Sequence, residues 1–179
     1  MGHSWGAFST LNITALHPDI SHIVAMCGFV SVADMTKNTF SKLLKYYRKA
    51  IFKLEQECNP RFVDYNAVET LSRSSTKALL IYSENDPMCR RAHYDVLKAG
   101  LEGKENVHFL LCQNKGHNPN YTEDAVMLLN EFGKKRAKLA RNKKATKEEK
   151  ERFVASFDWN AMTAQDEAVW QVIFEHLDQ

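Results

Sequence analysis

Apolar residues in this chain follow two rhythms: short unbroken runs, and longer stretches in which they return every three or four positions. The runs cover residues 22–29, Lys77–Ser83 (Lys-Ala-Leu-Leu-Ile-Tyr-Ser) and 106–112. Each is too short for a stable helix and has no polar side, which predicts three strands buried on both faces of a parallel sheet. The helical rhythm fills the intervals. Phe8, Leu11, Ala15 and Leu16 keep helical spacing until His17-Pro18-Asp19 stops it. Phe40, Leu43, Leu44, Tyr47, Ile51, Phe52 and Leu54 do the same, with Lys42, Lys45, Arg48, Lys49 and Lys53 on the remaining positions, which predicts an amphipathic helix. Residues 62–71 read as a shorter helix with Arg73-Ser74-Ser75-Thr76 as its exit loop. Residues 121–132 predict another, capped by Thr122 and apolar at Ala125, Leu128, Leu129 and Phe132. Further on, Thr146 and Glu149 have capping-box spacing before a helix through Phe153, and Thr163 with Asp166 opens one through Val169, Ile173 and Leu177. The alternation predicts an α/β class body over residues 1–133 with a helical cap insert at 31–75, a basic linker at 134–147 and a helical appendage at 148–179. No internal repeat is evident.

Chemistry enters at the strand ends. Gly2-His3-Ser4-Trp5-Gly6 has the G-x-S-x-G spacing of a sharp strand-to-helix turn, which exposes a serine hydroxyl and crowds the residues two before and two after it. Glycines at both places would relieve that crowding. The helix opening at Trp5 aims free N–H groups at the same point, so the Trp5 N–H is a candidate oxyanion donor. The second run leads into Glu84-Asn85-Asp86-Pro87, and the third into Gln113-Asn114-Lys115-Gly116-His117-Asn118-Pro119. A carboxylate and an imidazole thus follow two parallel strands, on the edge of the sheet where catalytic groups of open α/β sheets gather.

The ordered motifs Gly-His-Ser-Trp-Gly, Ser-Glu-Asn-Asp-Pro-Met and Asn-Lys-Gly-His-Asn-Pro resemble the C-terminal part of an α/β-hydrolase fold serine hydrolase, over residues 2–133. The resemblance implies that Ser4 is the nucleophile, His117 the general base and then acid, and Asp86 the carboxylate that orients the imidazole, in an acyl transfer to water through an acyl-enzyme. It implies an ester or related acyl substrate and no metal or cofactor. Several family parts have no counterpart here. The strand and crossover units ahead of the serine need on the order of 100 residues, and the loop that supplies the second oxyanion donor lies among them. The expectation is therefore a chain truncated before its nucleophile turn, with three strands and an open edge at Ile23.

Each motif residue has an ordinary alternative. For Ser4 it is a solvated serine, for Asp86 a cap for the following helix with Glu84 in its place, and for His117 a surface loop residue. His108 and His93 read as packed or exposed structural residues, His3 as packing under the turn, and Asp158, Asp166 and His176 as surface or cap residues. In the insert, Phe40, Tyr46 and Tyr47 are candidate pocket-lining residues of a lid, or members of an ordinary packed helix.

Composition narrows the remaining classes. The chain has 179 residues, 44% of them hydrophobic, and a net charge of +2. That is enough for one core, and no stretch reaches the roughly 18 apolar residues of a membrane span. Cys27, Cys58, Cys89 and Cys112 form no C-x-x-C pair, so their spacing supports neither a zinc site nor a disulfide framework, and reduced cytoplasmic thiols are the default expectation. A targeting segment would have been lost with a missing N-terminal part. Residues 134–147 carry eight basic side chains and no acid. Without an aromatic for base stacking, the block reads as a solvated linker and no nucleic-acid partner is expected. The alternative to an enzyme is a catalytically incompetent hydrolase fragment that acts as a binding or self-associating module, through the open sheet edge or the C-terminal helices.

Overall fold

Runs that are apolar on every side need cover on both faces, and the chain provides it with one parallel sheet between helices. The computed structural model describes residues 1–39 and 44–179. Its strands are β1 (Gly2–His3), β2 (His22–Met26), β3 (Lys77–Ser83) and β4 (Val107–Cys112), paired in the order β1-β2-β3-β4 and all parallel. The apolar pattern predicted three of these. β1 is two residues long, too short to leave a hydropathy signal, and it sets Gly2 opposite Ala25 and His3 opposite Met26. The β2 edge therefore has a neighbour at its C-terminal end. β2 itself is shorter than the apolar run 22–29, because Cys27 turns to φ 51° and ends the extended backbone.

The helices are α1 (Trp5–Ile13), α2 (Val32–Thr39), α3 (Lys45–Cys58), α4 (Ala67–Arg73), α5 (Arg91–Gly100), α6 (Glu123–Arg141), α7 (Lys147–Ala155), α8 (Trp159–Met162) and α9 (Glu167–Leu177). The sheet's period of two sorts the core. Ile23, Ala25 and Cys27 with Ala78, Leu80 and Tyr82 join Ala7, Phe8 and Leu11 of α1, Ala67 and Leu71 of α4, and Tyr94 and Leu97 of α5 in a single buried cluster. On the opposite face, the C-terminal half of α9 meets the sheet at His176, whose Nε2 lies 3.2 Å from the Ile23 carbonyl. His176 is buried, contrary to its expected place as a surface or cap residue.

Several boundaries differ from the sequence pattern for local reasons. α4 begins at Ala67, not near Phe62, because the Asn66 side chain accepts from the Val68 and Glu69 N–H groups. α9 is capped by Asp166, which accepts from Ala168 and Val169, while Thr163 closes the unpredicted α8. α6 runs through Arg141, well into the block expected to be a linker. Lys, Arg, Ala and Leu are strong helix formers, and Lys138 and Arg141 lie in the last turn where the helix dipole favours cations. Thr122 caps α6 and the Thr146–Glu149 capping box opens α7, as their spacing predicts.

Two compact units emerge: Met1–Pro119 with Val172–Gln179, and Asn120–Gln171. The first contains the sheet. Within the second, Phe132 of α6 stacks on Phe153 of α7 at 4.8 Å, and Tyr121 forms an antiparallel bridge with Gln165. Among the described residues, no helix is long and apolar enough to cross a membrane.

Candidate functional site

The site is assembled from the turns that follow all four strands. Ser4 occupies the turn between β1 and α1 at φ 55° and ψ −117°, with its N–H bonded to the Met26 carbonyl at 2.9 Å. A non-glycine residue holds positive φ only where its surroundings dictate it. Gly2 is part of that constraint, since a Cβ there would collide with the Gly6 carbonyl and the Thr10 hydroxyl, which are themselves hydrogen-bonded. A Cβ at Gly6 would meet open space. The crowding expected at both glycines thus falls on Gly2 alone, because Gly6 lies on the exposed side of α1. The Ser4 side chain makes no capping bond to α1.

Asp86 and His117 come together. His117 Nδ1 lies 2.7 Å from Asp86 Oδ2, and the Asp86 side chain is fully buried while that of His117 is 19% exposed. The other carboxylate oxygen accepts from the Met88 and Cys89 N–H groups at 2.7 and 2.9 Å. Asp86 thus holds its own turn through Oδ1 and meets the imidazole through Oδ2, and it does not cap α5, whose N-cap position is Arg90. Glu84, the stand-in for its role, points away and pairs with Arg91 at 3.5 Å.

Asn85 locks the two loops together, a function the sequence did not reveal. Its Oδ1 accepts from the Ser83 hydroxyl and from the Gly116 N–H, both at 2.9 Å, so the β3 and β4 turns share one acceptor. Gly116 at φ 54° and Asn114 at φ 55° give the β4 turn the curvature that presents His117.

His3 links the serine turn to this pair. Its Nε2 donates to the His117 carbonyl at 2.6 Å, and the two rings lie 4.7 Å apart. His3 thus does more than pack beneath the turn. Among the described residues, no hydrogen bond joins the Ser4 hydroxyl to His117. Burial lowers the His3 pKa below its ordinary value, an effect only partly offset by the His117 carbonyl contact.

The fourth turn contributes Cys27, whose thiol lies close enough to the Asp86 carboxylate to feel its charge. Burial, reinforced by the Asp86 charge, pushes the Cys27 thiol pKa well up, and Cys89 is raised for the same reasons. One ring nitrogen each of His3 and His117 and the Cys27 sulfur lie within 4.8 Å of one another. Spacing along the chain could not have revealed this cluster, because three separate strand ends supply its members.

The remaining candidates are dispersed. Phe40 lies outside the described residues, and Tyr46 and Tyr47 sit on exposed surface of α3, a helix with no buried residue. His93 is buried as a structural acceptor for the Val30 N–H at 3.4 Å, and His108 is exposed at the opposite end of the sheet. A cavity of about 180 Å³ opens beside Trp5, walled by Phe8, Val32, Phe62 and Val63 with Glu55 and Asn59 at its polar side.

No family model and no curated protein matches this sequence. Among solved structures it is similar to a puromycin-hydrolyzing peptidase of Mycobacterium tuberculosis, with a TM-score of 0.50 and 14% identity over 65% of this chain. The fold is of the α/β-hydrolase type. The chain spans 18% of that peptidase's length. A candidate dipeptidyl aminopeptidase IV from Bacteroides ovatus also matches, at a TM-score of 0.47 and 18% identity over 74% of this chain and 18% of its own.

Proposed function

We propose that the chain carries the catalytic turns of a serine hydrolase, with Ser4 as nucleophile, His117 as general base and Asp86 as the orienting acid. The observation that carries this reading is the 2.7 Å contact between His117 Nδ1 and a fully buried Asp86 carboxylate. With the proton fixed on Nδ1, the lone pair of Nε2 is left to take a proton from a serine hydroxyl. Ser4 fits that role. Its positive φ and its uncommitted side chain suit an exposed nucleophile, and the His3–His117 contact keeps its turn against the histidine loop. The Ser4 to His117 bond would close as substrate arrives, as often happens between free and loaded enzymes.

In the proposed reaction Ser4 Oγ attacks the acyl carbon while His117 takes its proton. The Trp5 N–H, in the first turn of α1 where no intrahelical acceptor exists, receives the oxyanion. His117 then protonates the leaving group, and water resolves the acyl-enzyme by the same route in reverse. The aromatic cavity beside Trp5 is the proposed seat for an apolar substrate group. A carboxylic ester is the proposed substrate class. The neighbouring fold's description as a puromycin-hydrolyzing peptidase makes an aminoacyl amide the second class to assay.

Active-site labelling tests the proposal. A fluorophosphonate probe should label the protein at one residue, Ser4, and Ser4→Ala should abolish the signal. Asp86→Asn should slow labelling by about 10⁴-fold, since the amide turns the imidazole into the wrong tautomer. A folded wild-type protein that never labels, or one still labelled in Ser4→Ala, would sink the proposal and leave the binding-module alternative.

A further inference from the structure

Three soft or borderline metal ligands meet at the proposed catalytic turn: His3 after the start of β1, Cys27 at the end of β2 and His117 beyond β4, their ligand atoms all within 4.8 Å. Zinc binds Cys sulfur at about 2.3 Å and His nitrogen at about 2.0–2.1 Å in tetrahedral sites. Ligand atoms around such an ion are therefore roughly 3.5 Å apart, so shifts of about 1 Å would close the cluster. The donor types suit such an ion, and the Cys27 thiol, held protonated by burial and the Asp86 charge, gives up its proton only as the metal binds. His3 donates through Nε2 to the His117 carbonyl, which leaves its Nδ1 lone pair free. The Asp86 carboxylate, bonded to His117 and near enough to Cys27 to act on its thiol, adds the negative charge that a divalent cation needs nearby.

We infer that His3, Cys27 and His117 form an inhibitory site for a thiophilic divalent cation of the Zn²⁺ type. Binding displaces the proton of Cys27, which passes to the buffer as the sulfur–metal bond forms, so affinity rises with pH. Two neutral imidazoles and one thiolate fill three positions, and water or Asp86 takes the fourth. The effect on the proposed reaction does not depend on which nitrogen of His117 is used. Nδ1 is the atom that Asp86 holds, and Nε2 is the one that must face Ser4. The metal takes one or the other and stops the relay. The inhibitory consequence rests on the serine hydrolase reading; the metal site itself does not.

Cobalt(II) provides a readout independent of activity. The full chain should give the intense visible bands of tetrahedral Co²⁺ and a thiolate-to-metal charge-transfer band. Both should be displaced by Zn²⁺, lost in Cys27→Ser, weakened in His3→Gln and unchanged in Cys58→Ser. Loss of an outer-shell partner alone costs roughly 10–100-fold in affinity, so loss of the Cys27 ligand should cost at least about 100-fold. Zn²⁺ should also slow fluorophosphonate labelling of the wild type at concentrations that leave the rate in Cys27→Ser the same with and without metal. A folded wild type without the cobalt bands, bands that survive in Cys27→Ser, or labelling that proceeds with metal bound would overturn the inference. Cobalt bands in a protein that never labels support the metal site and count against the hydrolase reading alone.

Discussion

Ser4, Cys27 and Asn114 share a backbone sign that L-residues avoid, and each stands at or just past the end of a parallel strand. A residue so held costs of order 1–3 kcal/mol and persists only where the surrounding structure over-determines it. All three lie in turns at the sheet edge that also carries Asp86 and His117. Gly2 shows how such a conformation is enforced: it sits where a methyl group has no room, against the Gly6 carbonyl and the Thr10 hydroxyl. Gly2→Ala should therefore cost about 1–3 kcal/mol in urea unfolding, the usual penalty for overpacking. Gly6→Ala should be neutral or stabilising by up to about 1 kcal/mol, because its Cβ would point into open space and alanine is the better helix former. Equal losses in the two variants would refute the one-sided packing of the turn.

Elements differ in what titration does to them. Where α9 meets the sheet, His176 lies 5.4 Å from His22 of β2 and 6.2 Å from His108 of β4, ring centre to ring centre. Lys77 of β3 faces the same segment, its Nζ bonded to the Gln179 carbonyl at 2.8 Å. The buried His22 Nε2 has no partner among the described residues. Desolvation, with the two neighbouring imidazoles, lowers the His176 pKa below its ordinary 6.5. The folded state therefore binds fewer protons at this group than the unfolded chain. Its contribution to stability is complete above about pH 6.5 and shrinks as the pH falls toward the lowered value. His93 and His3 are shifted in the same direction, by burial. The Tm should accordingly decline between pH 7 and pH 5, and His176→Gln should flatten that decline. An identical pH slope in the variant would show that this group does not set it.

How far the elements could be read from the chain depends on what each signal needs. β3 was legible to the residue because its interior, residues 78–82, is an unbroken apolar run, and the strand is buried from Ala78 onward. β1 was not, since its two residues acquire strand character only by pairing with Ala25 and Met26. Ser4, Asp86 and His117 could be picked out as candidates because each follows a readable strand or stands in a glycine-framed turn. The contacts of Cys27, His3 and Asn85 could not, because they come from register and side-chain direction. The extension of α6 was hidden by its charge, which resembles a linker, although its residue types favour helix.

At the scale of the whole molecule, the chain leaves the sheet-containing unit after Pro119 and rejoins it at Val172. The departing and returning segments are tied to each other at the base of the intervening unit. The Thr122 N–H bonds the Ala164 carbonyl at 2.9 Å and the Asp166 N–H bonds the Asn120 carbonyl at 2.8 Å, beside the Tyr121–Gln165 bridge. α6, α7 and α8 thus form an excursion whose two ends lie side by side, the arrangement that lets a segment be removed without stretching the remaining backbone. Replacing residues 123–163 with a short Gly-Ser turn should leave a protein that still unfolds cooperatively and still labels at Ser4. Its urea m-value should be smaller in rough proportion to the surface deleted. A shortened chain that is unfolded in buffer would show that the excursion is integral to the sheet unit. If the shortened chain folds, that doorway of paired backbone bonds becomes a ready splice point, where a reporter or a foreign binding domain could be grafted and its signal carried into the sheet through the returning half of α9.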